Sequence, residues 1–343
     1  MLRIGIIGTG ALASLMALRL AEQADVVMVG SWAEQLDAIE AGGLTLLEAD
    51  GRSHTHPLLA TDEPLLLPPV DVALVLVKSY QTSTAVRRLR TLVNTDTLIV
   101  TLQNGLGNWD TLAQAYGAWR VVQGVTSLGA TMVRPGMVRA AGDGPISLAR
   151  AAANIFFEPL VGCLRAAGFS VEIVYDVQGL VWGKLAVNAA INPLTAVLRI
   201  RNGLLAEEEP LKLVMMAAAR ETAVVAAAQG IQLPYPDTAQ RALQVAQATA
   251  QNHSSMLQDI RRGSQTEIEA ICGAVIKAGQ QFGVPTPVNI QLWRWVKSAE
   301  AGQPITDWKI EVDGLVVDLT GARDQGVRIR GPVHPGPQPA AKG

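Results

Sequence analysis

The segment MLRIGIIGTGALASLMALRLAEQADVVMVG, residues 1–30, decides how the chain begins to fold. Ile4 to Ile7 form a short continuous apolar run, the pattern of a strand buried on both faces in a parallel sheet. Gly8-Thr9-Gly10-Ala11-Leu12-Ala13 follows at once and opens a helical stretch, and the apolar run Val26 to Val29 completes a strand–helix–strand unit. In that setting Gly8 permits a tight turn and Gly10 lets the backbone approach a pyrophosphate. Ala13, in the place of a third glycine, allows close helix–sheet packing. The anion would sit at the positive helix N-terminus. A glycine turn of some other α/β domain is the plainer alternative, and the flanking strands argue for a dinucleotide site.

The residues after the second strand bear on the choice of dinucleotide. An acid there favours NAD, and an arginine accommodates the 2′-phosphate of NADP. This chain has Gly30, Ser31 and Trp32, which are neither; Asp25 precedes the strand and Glu34 lies past its end. The missing acid tilts the expectation toward NADP (NADPH), with NAD not excluded. Ser31 could bond a phosphate oxygen and Trp32 could lie against adenine. Further buried strands in DVALVLVKS and DTLIVTLQNG end in Lys78 and in Asn104-Gly105. Ligands of open parallel sheets bind at the carboxyl ends of strands, so both residues aim at a cofactor groove. A solvated lysine and an ordinary Asn-Gly turn are equally open readings. The stretches VVQGVTSLGATM, GMVRAAG, PISLA and VEIVY carry the first domain to residue 176.

A chain of 343 residues suggests two domains, and 49% hydrophobic with 17% charged residues suffices for packed interiors. With a net charge of −2 and no basic cluster, no nucleic-acid footprint is expected. Cys163 and Cys272 make no disulfide framework, and the four histidines lack zinc spacing, so a metal-free protein of a reducing compartment is expected. The apolar start is too short for a signal peptide and no apolar run reaches membrane-spanning length, which predicts a soluble, cytoplasmic protein without membrane contact.

From Val177 alanine-rich helical patterns replace the strands, near 178–198, 208–229, 236–252, 265–282 and 287–300. The expected layout is a cleft between the strand ends and this helical half. WGKLAVNAAINPLTAV, residues 182–197, reads as a buried helix, yet Lys184, Asn188 and Asn192 recur every four residues on one stripe. An amine on an apolar helix is costly unless something pairs with it. It is either a functional group or a buried or snorkelling ion pair. A second polar island, NHSSMLQDIRRGSQTEIEA, runs over 252–270, with Asn252 and Ser255 at i, i+3 and Asp259 a turn on. Gly263 should interrupt the helix, because Ser264/Glu267 and Thr266/Glu269 both read as capping boxes. Glu267 is then a cap or is free to face the cleft; spacing does not choose.

These motifs together resemble the ketopantoate reductase (2-dehydropantoate 2-reductase) family from Leu2 to about Glu300. They are the N-terminal GTGALA, the VK at Lys78, QNGLG at 103–107, KLAVNAAINPLTA at 184–196, NHSSMLQDIRRGSQTEIE at 252–269 and GVPTP at 283–287. The resemblance implies an α/β Rossmann-type parallel-sheet domain over 1–176 and an all-α C-terminal domain of the 6-phosphogluconate-dehydrogenase type over 177–302. It implies NADPH-dependent reduction of 2-dehydropantoate to pantoate, on the way to pantothenate and coenzyme A. It also implies that Lys184 donates the proton, that Asn104 touches cofactor and substrate, and that Lys78 and Ala130 line the cofactor site with the 8–13 loop. Asn188, Asn192, Asn202 and Ser255 would contact substrate with Asn252 beside them, and Glu267 would lie near both ligands. The family's arginine for the 2′-phosphate aligns on Trp32, a departure that puts the NADP preference in question. A reductase of another branched 2-keto acid, or a non-catalytic NAD(P)H sensor, are the rival readings; the joint presence of Lys184, Asn188 and Glu267 argues against a sensor.

Residues 303–343 extend past the pattern. WKIEVDGLVVDL alternates around Asp313-Gly314, a hairpin signal, and GPVHPGPQPAAKG has the composition of a disordered tail. The alanine-rich helices could bury surface within one chain or between two, so a homodimer is one arrangement they allow.

Overall fold

The computed structural model describes residues 1–48, 50–151 and 153–322, with the backbone of 334–335. Its internal contacts divide the chain into two compact units, Met1–Val177 and Gln178–Gly343. The first unit runs β1 (Arg3–Ile7), α1 (Ala11–Leu20), β2 (Asp25–Val29), α2 (Ala33–Gly42), β3 (Leu44–Leu47), β4 (Ser53–His56), β5 (Leu59–Thr61) and β6 (Val72–Val75). It continues through α3 (Thr82–Leu89), β7 (Leu98–Thr101), α4 (Asn108–Tyr116), β8 (Val121–Thr126), β9 (Gly129–Arg134), β10 (Met137–Gly142), β11 (Ile146–Ala149), α5 (Phe157–Ala166) and β12 (Val171–Val174).

Eight strands form the main sheet in the order β12-β11-β8-β7-β6-β1-β2-β5. All its pairings are parallel except β8 with β11. The continuous apolar strands are explained by cover on both faces. Ile4 and Ile6 of β1 pack with Leu15 and Met16 of α1, while Ile7, Val29 and Val75 join Ala85 and Leu89 of α3 and Leu112 of α4 in a second cluster. A four-stranded sheet, β4-β3-β10-β9, lies against α1 and adds Leu44, Leu46 and Val138 to the first cluster. This small sheet is an addition to the single parallel sheet expected from sequence. Buried Gln35 fastens it, donating to Ser14 Oγ (3.2 Å) and accepting from the Gly136 N–H at the β9–β10 turn (2.8 Å).

The second unit is built on α6 (Gln178–Leu198), followed by α7 (Leu204–Glu207), α8 (Glu209–Ala228), α9 (Thr238–Ala248) and α10 (Ser255–Arg261). A π-helical turn (Glu269–Gly273), α11 (Ala274–Phe282) and α12 (Pro287–Glu300) complete the helices. α8, α9, α10, α12 and the π turn all pack on α6, so most of its residues are buried. Among the described residues no helix is long and apolar enough to cross a membrane.

Two local expectations change. The helix expected to 252 stops at Ala248, so Asn252 lies in a loop outside any helix face. Ser255 is the first residue of α10, and Ser254 caps the helix, its Oγ accepting from the Leu257 N–H at 3.1 Å and lying 2.7 Å from Thr195 Oγ1 of α6. Neither capping box forms. Gly263 takes φ +66, and the chain then enters a π turn marked by the Gly273 N–H bonding the Ile268 carbonyl at 3.0 Å. The Thr266 hydroxyl accepts from the Ile268 N–H, and Glu269 turns away to Trp293 and Lys297.

The helical unit is not all α. β13 (Lys309–Val312) and β14 (Leu315–Asp318) form an antiparallel hairpin, with Asp313 (φ +50) and Gly314 (φ +79) both left-handed, as a two-residue turn of this hand requires. Trp308 meets Trp295 of α12 at 5.5 Å, and Asp313 pairs with Arg220 of α8 at 3.1 Å. The tail expected to be disordered lies outside the described residues, apart from the backbone of 334–335.

Beside Arg220, Glu221 closes the N-terminus of α12. Its carboxylate accepts from the Val288 N–H (2.8 Å), the Asn289 N–H (2.9 Å) and Asn289 Nδ2 (2.8 Å). Burial raises its pKa and these bonds oppose that rise. Glu221→Ala should lower unfolding stability by about 2 kcal/mol in urea titrations, because buried donors lose a charged acceptor.

Candidate active site

Two sets of polar groups are placed by the two units. In the first, Gly8 (φ +135) packs so closely on β6 that a Cβ would meet the Leu76 carbonyl at 3.0 Å, and its N–H bonds the Val29 carbonyl at 2.8 Å. A Cβ on Gly30 would meet Thr9 Cγ2 at 2.4 Å. The loop is thus wedged between Gly30, past the end of β2, and Leu76-Val77, past the end of β6. Gly10 is different: a Cβ there meets nothing within 4 Å, and α1 has no side-chain cap. The first turn of α1 thus carries backbone N–H groups that no capping side chain takes up, and buried Ala13 lets the helix sit close to the sheet. These residues fit a pyrophosphate.

Ser31 is exposed, and Trp32, at 37% exposure, begins α2 with Glu34 in its first turn. No basic side chain stands at positions 30–34. Lys78 and Asn104 are half-buried beyond β6 and β7, and Ala130 lies on β9 of the small sheet, opposite Ala140. The sequence reading missed the network that joins the two strand ends. Gln103 Nε2 donates to the Val77 carbonyl and to Thr82 Oγ1 (both 2.9 Å), Thr82 donates to Asn108 Oδ1 (2.8 Å), and Asn108 Nδ2 donates to the Asn104 carbonyl (2.9 Å). The clue lay in QNGLGN, where Gln103 and Asn108 bracket the turn.

In the second unit α6 carries Lys184, Asn188 and Asn192 as one stripe, with Lys184 and Asn188 half-buried and Asn192 buried. Dehydration lowers the Lys184 pKa to about 8, and the Glu267 carboxylate pushes back in the other direction. Glu267, only 6% exposed, stands just before the π turn, and that turn packs on α6. Asn202 and Asn252 are brought together, the Asn202 N–H donating to the Asn252 carbonyl at 3.0 Å. Asn202 Nδ2 bonds Thr249 Oγ1 at 2.9 Å, whereas its Oδ1 is buried without a hydrogen-bond partner. Asn252 and Ser255 are exposed.

An amine that titrates near 8, next to a buried carboxylate and a row of neutral amides, can deliver a proton to an oxygen that gains charge. The glycine turn at the carboxyl end of β1 in one unit, and a lysine of lowered pKa beside a carboxylate in the other, are each features of the dinucleotide-dependent oxidoreductase class. The family model described as ketopantoate reductase PanE/ApbA matches residues 4–153, and its C-terminal counterpart matches 176–300. A 2-dehydropantoate 2-reductase of Archaeoglobus fulgidus is 36% identical over 305 residues, covering 88% of this chain and 98% of its own. One from Halobacterium salinarum is 35% identical over 303 residues, covering 87% and 99%. The solved PanE/ApbA-family ketopantoate reductase of Ralstonia eutropha superposes with a TM-score of 0.81 at 30% identity, covering 88% and 99%. The chain belongs to the ketopantoate reductase family.

The lowered Lys184 pKa has a stability consequence. The unfolded lysine titrates near 10.5 and the folded one near 8, so between these values the unfolded chain holds more protons and stability rises with pH. The parent's unfolding free energy should therefore rise between pH 8 and 10.5, by on the order of 1–3 kcal/mol, and Lys184→Met should lack that rise in denaturant titrations.

Proposed function

We propose that the chain reduces 2-dehydropantoate to (R)-pantoate, in pantothenate and coenzyme A synthesis, with NADPH as the donor. The observation that carries this reading is Lys184: an ammonium on an apolar helix, shifted toward operating pH by burial and kept protonated by Glu267. When bound, the nicotinamide supplies a hydride. Charge then grows on the C2 oxygen of the keto acid, and Lys184 Nζ stabilises it and passes over its proton.

Glu267 holds that amine. Asn188 and Asn192 supply neutral donors and acceptors, which add no charge to a site that must also take a carboxylate. The unpartnered Oδ1 of Asn202 offers an acceptor for a substrate hydroxyl, and Asn252 and Ser255 complete the substrate side. The first unit (1–176 in the sequence reading) is the dinucleotide domain, with Gly8 to Ala13 on the pyrophosphate and Lys78, Asn104 and Ala130 along the cofactor. Asn104 reaches both ligands. Ser31 and Trp32 receive the adenosine end, and the lack of a carboxylate at positions 30–32 supports NADPH over NADH. The helical unit (177–302) holds the substrate.

Steady-state assays following NADPH or NADH oxidation test this. Ketopantoate should be turned over at least 10²-fold better, in kcat/KM, than 2-ketoisovalerate, which lacks the hydroxyl. Preference for another keto acid would keep the chemistry and reject the pathway; a preference for NADH would reject the cofactor assignment. Because the acid must carry its proton, kcat/KM should fall above a pH of about 8. Lys184→Ala should lower kcat by roughly 10²–10⁴. Normal turnover by that variant would reject the general-acid role.

A further inference from the structure

The segment that bears Glu267 begins in a loop and enters a π turn, so its own secondary structure does little to fix it. What fixes it lies on the last two turns of α12. Glu300 Oε1 accepts the Thr266 N–H at 2.7 Å, at a residue only 1% exposed and directly before Glu267 in the chain. Lys297 lies 2.9 Å from Glu300 Oε2 and 3.4 Å from Glu269 Oε1, and Trp293 Nε1 donates to Glu269 Oε2 at 3.1 Å. Positions 293, 297 and 300 fall on one face of the helix, at i, i+4 and i+7. They grip the chain on both sides of Glu267.

We propose that Glu300, braced by Lys297, is a positioning residue that holds the backbone of 266–269 so that Glu267 stays against Lys184. The proposal rests on the reading of Lys184 as the acid. A carboxylate that only decorated the surface would be exposed, whereas the Glu300 side chain is 11% exposed and both its oxygens are engaged. Burial raises its pKa, yet Lys297 and Thr266 bind it firmly enough to hold it below the usual carboxylate value. Lys297 is raised by the same contacts, with Glu300 first among them.

Other charged groups on the elements around α6 have separate attachments. Arg220 pairs with Asp313, Glu221 caps α12, Lys212 pairs with Glu209, and Arg241 stacks on Tyr235. α10 brings Asp259 and Arg261, and α12 also brings Arg294. Among the described residues, Glu267 is the charge that acts on Lys184.

The test compares Glu300→Ala and Glu300→Gln in the full-length protein. The readout is the pH dependence of Lys184 acylation by an amine-reactive probe, followed by mass spectrometry alongside kcat. Parent protein should show a labelling midpoint at about 8. Glu300→Ala lets Glu267 draw back, so the midpoint should fall by about half a unit to one unit and kcat by on the order of tenfold, with KM little changed. Glu300→Gln keeps an amide oxygen for the Thr266 N–H and should restore most of both.

A midpoint that stays at the parent value in Glu300→Ala, whatever happens to activity, overturns the proposal. So does an equal fall in the glutamine variant with no recovery. Should Glu300→Ala fail to fold, Glu300→Leu, which keeps side-chain volume but offers the Thr266 N–H no acceptor, takes its place with the same criteria. Labelling needs no turnover, so failure of the clamp is distinguishable from failure of the reductase reading, which Lys184→Ala decides.

Discussion

A protonated amine on an apolar helix is the constraint around which the second unit is arranged. Dehydrating an ammonium in a protein interior costs several kcal/mol, and lysines buried without a partner drop to pKa values of about 5–6. Lys184 stops at about 8 because the Glu267 carboxylate opposes the dehydration. Dehydration still wins, and the proposed proton transfer draws on that balance. A fully compensated lysine would hold its proton too tightly at neutral pH, and an uncompensated one would have none to give. The neutral amides of Asn188 and Asn192 preserve the balance, since a second cation would lower it and a second carboxylate would raise it.

Such a balance depends on distance, so the chain invests in fixing it. α6 is packed by α8, α9, α10, α12 and the π turn, and Ser254 caps α10 while touching Thr195 of α6. The first unit solves a like problem with polar stitching. Lys78 and Asn104 sit in turns past β6 and β7, where no ladder holds them. Gln103, Thr82 and Asn108 replace the missing ladder with side-chain bonds that run from the Val77 carbonyl to the Asn104 carbonyl.

Residues governed by local periodicity were legible in the sequence. The strand–turn–helix of residues 3–20, the stripe on α6 and the Asp313-Gly314 turn follow from side-chain period and backbone freedom, which neighbouring residues already determine. What was illegible depends on partners far away in the chain. Thr266 and Glu269 have the spacing of a capping box, but Glu300 and Trp293 outbid it by offering bonds from α12. Ser255 and Ser254 are equivalent as sequence, and the bond to Thr195 across to α6 falls to Ser254. The small sheet was missed because β3 and β10 pair across most of the first unit, and neither strand alone carries a signal of its partner. The roles carried over from the family resemblance come from likeness, and geometry alone would not have assigned them to Asn188 or Asn202.

The adjacent charges Arg220 and Glu221, which break the apolar run of α8, find their reason in the same mechanics. Each fastens a different element: Arg220 the tip of the hairpin, Glu221 the N-terminus of α12. The hairpin in turn lays Trp308 against Trp295, in the same α12 turn as the residues that hold the Glu267 segment. α12 is therefore anchored at its start by a buried carboxylate and along its length by an aromatic pair, and its end grips the segment 266–269. A helix free to slide along its axis could not fix a carboxylate against an amine. The hairpin of β13 and β14 thus braces the helix from which Glu300 reaches the segment 266–269, which gives a physical reason for a hairpin on a helical unit.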